Sequence, residues 1–229
     1  MELSGKTALI TGGTRGIGRA TATALLDAGM NVVLTARNGE EANTLARDLT
    51  KRGGGRALGL ACDVRDLGSQ EGVVNTLLGE FGSLDLLVAN AGVGGRASIV
   101  DLEPAFWHDV IDTNLTGAFY SVKAAVPALI ASAGMIITVG SLAGANFFAG
   151  GAAYNASKFG LLGFTQAVML DLREHGVRVS TILPGSVATT FADRTVTPED
   201  AWKLAPDDIA ATVLYLFRMP ARALPSKVE

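Results

Sequence analysis

Five consecutive residues, Tyr154-Asn155-Ala156-Ser157-Lys158, carry the pairing in this chain with the clearest chemistry. In a helix Tyr154 and Lys158 stand at i and i+4, one turn apart on the same face. An ammonium beside a phenol favours the phenolate. It lowers the tyrosine pKa from ~10 toward the range where the group exchanges protons near neutrality. Tyrosine and lysine fall at this spacing by chance in many helices, so the pair gains meaning only from what the rest of the chain builds around it.

A glycine-rich turn is the first such element. Lys6 to Thr11 is a short apolar run that reads as a buried strand. Gly12-Gly13-Thr14-Arg15-Gly16-Ile17-Gly18 follows, then a helical pattern from Arg19 to Ala28 closed by Gly29, then a strand from Asn31 to Ala36. Strand, turn, helix and strand make a βαβ unit. Glycines there allow a tight turn, close approach of backbone to a pyrophosphate, and close helix–strand packing. The helix N-terminus offers free N–H groups and a positive dipole end. A dinucleotide is the expected ligand. Where an NAD site places an acid for the ribose 2′-hydroxyl, this chain has Ala36 and then Arg37, and Arg15 lies in the turn. Two guanidinium groups without a carboxylate suit a 2′-phosphate, so the expected cofactor is NADP(H), with NAD(H) as the alternative.

The remaining elements alternate. Glu40 to Lys51 is an amphipathic helix, and Ala57 to Cys62 is a strand leading to Asp63 and Val64. Asp63 either accepts from an adenine amino group or caps the next helix, Gln70 to Phe81. Leu84 to Ala89 is an apolar strand ending at Asn90-Ala91-Gly92. A long helix from Pro104 to Ile130 contains Asn114 shortly before Gly117, a weak helical choice that marks a kink or a functional site. Gly134 to Val139 is a strand leading to Ser141. A loop with Asn146, Phe147 and Phe148 leads to a helix from Ala152 to Glu174. Val177 to Leu183 is a strand followed by Pro184-Gly185-Ser186-Val187-Ala188-Thr189. An irregular stretch, Phe191 to Leu204, precedes a helix from Pro206 to Arg218, and Ser226 to Glu229 starts a last strand. This order predicts an α/β chain with one Rossmann-like, doubly wound parallel sheet of about seven strands and helices on both faces. Residues 1–229 form one domain, with 189–205 as the substrate loop.

Composition narrows the function classes. The 229 residues are 48% hydrophobic, ample for a core, and the net charge of −3 argues against nucleic acid as a partner. A single cysteine, Cys62, forms no intramolecular disulfide, and with only His108 and His175 beside it no metal site is expected. No window approaches ~18 uninterrupted apolar residues, and no charged leader precedes the first strand. A cytoplasmic protein without a membrane partner is expected.

Taken together, Thr11-Gly12-x-x-x-Gly16-x-Gly18, Asp63, Asn90-Ala91-Gly92, Asn114, Ser141, Tyr154-x-x-x-Lys158 and Pro184-Gly185 resemble, in order, the motifs of the single-domain short-chain dehydrogenase/reductase family. Ser141 precedes Tyr154 by thirteen residues, a separation usual in the family. The resemblance implies a catalytic tetrad of Asn114, Ser141, Tyr154 and Lys158. Tyr154 would protonate a carbonyl oxygen as NADPH delivers hydride, or take the proton in reverse. Ser141 would hold that oxygen. Lys158 would bond the nicotinamide ribose and lower the Tyr154 pKa, and Asn114 would kink its helix and hold a water in a relay to Lys158. The implied cofactor site comprises Gly12, Thr14, Arg15, Gly16, Ile17, Gly18 and Arg37, then Asp63 and Val64 at the adenine. Asn90, Ala91 and Gly92 would support the adenosine side. Tyr154, Lys158, Pro184, Gly185, Val187 and Thr189 would lie about the nicotinamide.

The substrate would be a small carbonyl compound or alcohol. A catalytically silent NADP(H)-binding sensor or scaffold is the alternative. A homodimer through helices 104–130 and 152–174 is implied, with a tetramer open. Many relatives continue past this end, so the resemblance implies a last strand that is cut short or built differently. Phe147, Phe148, Phe191 and Trp202 either line an apolar substrate pocket or pack locally.

Overall fold

The protein is described over residues 3–229 by a computed structural model. Its elements are β1 (Thr7–Thr11), α1 (Gly16–Asp27), β2 (Asn31–Ala36), α2 (Gly39–Thr50), β3 (Ala57–Ala61), α3 (Leu67–Phe81), β4 (Leu86–Ala89), α4 (Pro104–Ile111), α5 (Gly117–Ser132), β5 (Met135–Val139), α6 (Ala152–Asp171), β6 (Arg178–Ile182), α7 (Pro206–Arg218) and β7 (Lys227–Val228). All strands pair in parallel in the order β3-β2-β1-β4-β5-β6-β7. The central strands β1, β4 and β5 are buried along their whole length. That explains why they read as continuous apolar runs and not as alternating ones. On one face α1, α2 and α7 set Leu25, Leu26, Ala46, Val213 and Leu216 against the sheet. On the other, α3, α5 and α6 bring Val74, Leu77, Val122, Leu129 and Phe164. Each fully buried leucine is worth ~2 kcal/mol relative to exposure. The strand order reverses between β1 and β4, which opens a crevice at their carboxyl ends.

Several boundaries differ from the sequence reading, each for a local reason. The first helix begins at Gly16, inside the glycine turn, and not at Arg19. Helix α3 begins at Leu67 and is capped by Asp66, whose carboxylate accepts from Gly68 N at 2.9 Å. Asp63 does not cap it, because Arg65 holds the Asp63 carboxylate. The long helix is divided. A π-helical turn, Asp112–Thr116, inserts between α4 and α5 and contains Asn114. The helix expected to reach Glu174 ends at Asp171, and a short 3₁₀ turn, Arg173–His175, follows. The stretch from Phe191 to Leu204 holds two 3₁₀ turns, Phe191–Asp193 and Pro198–Trp202. The last strand forms as two residues, with Leu183 N donating to Val228 O at 2.8 Å and Thr181 N to Ser226 O at 3.1 Å.

Helix α2 lies on β3 at one position that admits no side chain. A Cβ on Gly59 would sit 2.1 Å from the Ala42 carbonyl, inside van der Waals contact. Gly59→Ala is therefore expected to lower the free energy of unfolding by about 3 kcal/mol, the upper range for overpacked sites. Urea denaturation checks this, and an unchanged midpoint would contradict the close packing.

Candidate active site

The crevice between β1 and β4 is held by reciprocal hydrogen bonds. Thr11 Oγ1, at the end of β1, accepts from Asn90 N and Ala91 N, both at 3.1 Å. Asn90 Nδ2 donates back to Thr11 O at 2.9 Å and Gly12 O at 3.1 Å. The glycine turn is fixed against this clamp. Gly12 and Gly16 have φ of +64° and +48°, a region that favours glycine. A Cβ on Gly18 would lie 2.2 Å from Gly12 O and 2.6 Å from Asn90 Nδ2, so the third glycine lets α1 seat on the turn. Helices α2 and α3 are capped by Asn38 and Asp66, whereas α1 has no side-chain cap and no acid in its first turn. Its first residues, Gly16 and Ile17, line a cleft of about 650 Å³ whose wall also includes Arg37, Tyr154 and Phe191. A backbone cradle closed to any Cβ and an uncapped helix N-terminus together fit the phosphates of a dinucleotide.

Tyr154 and Lys158 stand on the first turns of α6, facing the same cleft. Lys158 is buried, and its Nζ donates to Val139 O at the end of β5 at 3.1 Å. It lies 5.7 Å from the centre of the Tyr154 ring. Ser141, just past the end of β5, hydrogen-bonds the Tyr154 side chain. Leu142 N donates to Pro184 O at 3.0 Å, which brings the Ser141 edge onto Pro184-Gly185. Asn114 is buried in the π turn and grips Val93 at both backbone atoms, accepting from its N at 2.8 Å and donating to its O at 2.9 Å. Its Nδ2 also donates to Ser157 Oγ at 3.0 Å, and Ser157 Oγ donates to Tyr154 O at 2.8 Å. The Asn114 side chain thus holds the loop after β4 and, through Ser157, the first turn of α6. Gly92 lies beside it, where an added Cβ would be 3.2 Å from Asn114 Oδ1 and 3.8 Å from Lys158 Nζ.

The electrostatics depart from the simple reading of an i, i+4 pair. Burial raises the Tyr154 pKa above its ordinary value, and the Ser141 hydrogen bond opposes this only in part. Burial also pulls Lys158 down to about 8, with no carboxylate among the described residues paired with its charge. Desolvation is the largest influence on both groups. Tyr154 is a protonated phenol at neutral pH.

On the cofactor side the expected residues separate. Gly12, Arg15, Gly16, Ile17, Arg37, Asn90, Ala91, Gly92, Pro184, Gly185, Val187 and Thr189 line the cleft. Arg15 is bonded to Glu41 through Nε at 3.1 Å and Nη2 at 3.3 Å. Arg37 is exposed and hydrogen-bonds nothing among the described residues, though its charge helps hold the Asp63 pKa down. Asp63, Val64 and Thr14 are not on the cleft wall. Asp63 pairs with Arg65 at 2.7 Å, and Arg65 reaches on to Asp109 of α4 at 3.0 Å. Val64 is buried, its side chain packed where a Cβ on Gly117 would be 2.8 Å away. Thr14 lies on the outer side of the turn, with Arg19 and Asn38. Sequence reasoning assigned no role to Asn155 and Ser157, two buried polar residues in the first turns of α6. Asn155 Nδ2 bonds Ala143 O at 2.7 Å and Asn146 O at 2.9 Å, which fixes the Ser141 loop to the helix. Their signal was polarity on a face that had to be buried.

Of the four aromatics suggested for a substrate pocket, Phe191 takes part. Its ring lies 6.1 Å from that of Tyr154, and a Cβ on Gly94 would meet it at 2.4 Å. Phe106 of α4, not singled out in the sequence, packs likewise on Gly95. Phe148 lies under the Arg96 guanidinium at 4.9 Å, while Phe147 and Trp202 face solvent.

A doubly wound parallel sheet with this carboxyl edge places the chain in the Rossmann class of α/β proteins. The sequence profile described as short chain dehydrogenase matches residues 6–200. A trans-4-hydroxycyclohexanecarboxylate dehydrogenase from Sinomonas cyclohexanicum is 40% identical over 80% of this chain and 73% of its own length. A 3-oxoacyl-(acyl-carrier-protein) reductase from Vibrio harveyi is 35% identical over 94% of this chain and 91% of its own. A metagenomic short-chain oxidoreductase solved in complex with NADP superposes with a TM-score of 0.86 at 38% identity, covering 100% of this chain and 97% of that one. The chain belongs to the short-chain dehydrogenase/reductase family.

The buried lysine has a consequence for stability. Its pKa falls from 10.5 when unfolded to about 8 when folded. Between those values the unfolded chain binds more protons, so this group makes stability rise with pH. Lys158→Met is therefore expected to raise the melting temperature of the dinucleotide-free protein at pH 7, with the advantage shrinking as pH climbs from 8 toward 10. Thermal melts across that range check it; a gap independent of pH would show that Lys158 is not destabilised by burial.

Proposed function

We propose that the protein is an NADP(H)-dependent oxidoreductase that interconverts a carbonyl group and a secondary alcohol, with Tyr154 as general acid and base. The observation that carries this is the meeting of Ser141, Tyr154 and Lys158 on the wall of the same cleft as the glycine cradle and the uncapped end of α1. The bound dinucleotide supplies or accepts the hydride. Tyr154, kept protonated by burial, gives its proton to the carbonyl oxygen, and Ser141 orients that oxygen by a hydrogen bond. The Lys158 ammonium then lies close enough to stabilise the phenolate. In the reverse direction the phenolate takes the alcohol proton. Asn114 acts by position, holding Val93 and the start of α6.

The 2′-phosphate is assigned to Arg37 and Arg15, because no carboxylate of the second strand end faces that part of the cleft. The relative solved with NADP supports this choice. Both curated relatives are named for chemistry on an oxo or hydroxyl carbon. The same reading makes the protein a cytoplasmic homodimer joined through α5 and α6, where Phe119 and Phe159 are exposed.

Tyr154→Phe should lower kcat for ketone reduction by about a thousandfold while leaving NADPH affinity nearly unchanged. Residual turnover near the wild-type rate would sink the assignment, and tight NADPH binding with no turnover of any carbonyl would favour a sensor. Arg37→Ala should weaken NADPH by about tenfold to a hundredfold, the range for a lost charge-assisted bond, with little effect on NADH. Equal losses in a fluorescence titration would show that Arg37 does not read the 2′-phosphate.

A further inference from the structure

Ser141 has one hydroxyl with which to hold Tyr154 and meet a carbonyl oxygen, so its direction matters as much as its presence. The residues after it set that direction. Leu142–Gly144 form a short 3₁₀ turn, and at its start Ser141 Oγ accepts from Ala143 N at 3.1 Å. Gly144 N donates to Ser141 O at 2.8 Å. A hydroxyl has one hydrogen to donate and two lone pairs. With Ala143 N on one lone pair, the hydrogen and the other lone pair are left for the cleft that Ser141 lines. The turn aims the hydroxyl, and whatever holds the turn holds the aim.

Among the described residues the turn is held from three sides. Leu142 N donates to Pro184 O at 3.0 Å, beyond the end of β6. Gly144 lies on the backbone of α6, where a Cβ would be 2.7 Å from Lys158 O. The third hold is a side chain. Asn155 Nδ2 donates to Ala143 O at 2.7 Å, inside the turn, and to Asn146 O at 2.9 Å, just past it. Its Oδ1 accepts from Phe148 N at 3.4 Å. A Cβ on Gly151 would come within 2.2 Å of that oxygen, so glycine there makes room for the amide. Asn155 is 8% exposed. Asparagine is a weak helix former and costly to bury, so packing alone would favour an apolar residue at this place.

The bonds close a ring. Tyr154 bonds Ser141, Ser141 bonds Ala143, Ala143 bonds Asn155, and Asn155 follows Tyr154 in the chain. The proton donor and the group that orients the carbonyl oxygen are thereby referred to the same turn of α6. We propose that Asn155 is a positioning residue for the reaction, which fixes the direction from which Ser141 meets the carbonyl oxygen beside Tyr154. This rests on the oxidoreductase reading above and adds a residue to it.

The test is steady-state NADPH oxidation with cyclohexanone and ethyl 3-oxobutanoate. Asn155→Leu keeps the side-chain volume and removes its hydrogen bonds. Asn155→Ser, too short to reach both carbonyls, takes its place if the leucine variant does not fold. Either should lower kcat by about tenfold to a hundredfold, the scale of a catalytic group displaced by about an ångström. KM for the ketone and Kd for NADPH should stay within about twofold of wild type, whereas a general loosening of the fold would move them too. In a Ser141→Ala background the same change should alter kcat by less than about twofold, because no hydroxyl is left to aim. A kcat near that of the wild type, or an equal loss in the two backgrounds, would overturn the inference and leave the reductase reading intact. Wild-type turnover by Ser141→Ala itself would remove the role of Ser141 in that reading, and the inference with it.

Discussion

The hydrogen bonds between Thr11 and Asn90 set the width of the crevice at the place where the sheet reverses its order, and the site is assembled outward from them. They hold the Gly12 carbonyl, against which Gly18 seats α1. They also fix the start of the segment from Asn90 to Val93. Asn114 grips the far end of that segment, and Ser157 carries the link on to the Tyr154 carbonyl. One connected set of polar contacts thus runs from the phosphate cradle to the first turn of α6. Its members are largely withdrawn from water, so removing any one leaves a partner unsatisfied at a cost of about 1–3 kcal/mol. The distance between cradle and phenol is fixed in this way by hydrogen bonds between side chains and backbone.

Against that rigid frame the charges at the centre are poorly solvated. A buried lysine whose hydrogen-bond partner among the described residues is one carbonyl, with no carboxylate beside it, is an expensive group to keep. Stability alone would replace it. Its retention beside a buried phenol follows the pattern in which local rules are broken where chemistry occurs. The same burial that opposes ionisation before reaction strengthens each interaction made to charge that develops during it.

Much of this was legible in the chain. Strands buried on both faces announce themselves as apolar runs, and β1, β5 and β6 fall within a residue of their expected limits. The glycine turn, Ser141 and the Tyr154–Lys158 pair arrive at one edge because parallel strands put all their carboxyl ends on the same side. What escaped was set by partners distant in sequence. Whether Asp63 or Asp66 caps α3 depends on Arg65, which is in turn drawn toward Asp109 on α4. The direction of the Tyr154 shift depends on burial, which no i, i+4 spacing encodes. Whether Phe147, Phe148, Phe191 or Trp202 lines a pocket or packs locally depends on contacts such as that of Phe191 with Gly94, 97 residues away in the chain. Propensity at Asn114 marks either a kink or a functional site, and the form the break takes, one extra residue in a turn, leaves no periodic trace over so short a span.

That extra residue also separates two phases within one rod. Helix α4 must aim Phe106 and Asp109 into the cleft, while α5 must aim Val122, Ala125 and Leu129 at the sheet. A continuous α-helix would tie the two demands to one 3.6-residue repeat. The π turn shifts the second half by about 100° relative to the first, the rotation of one residue. Each half is therefore free to vary under its own constraint, the one chemical and the other purely one of packing, with Asn114 at the seam between them.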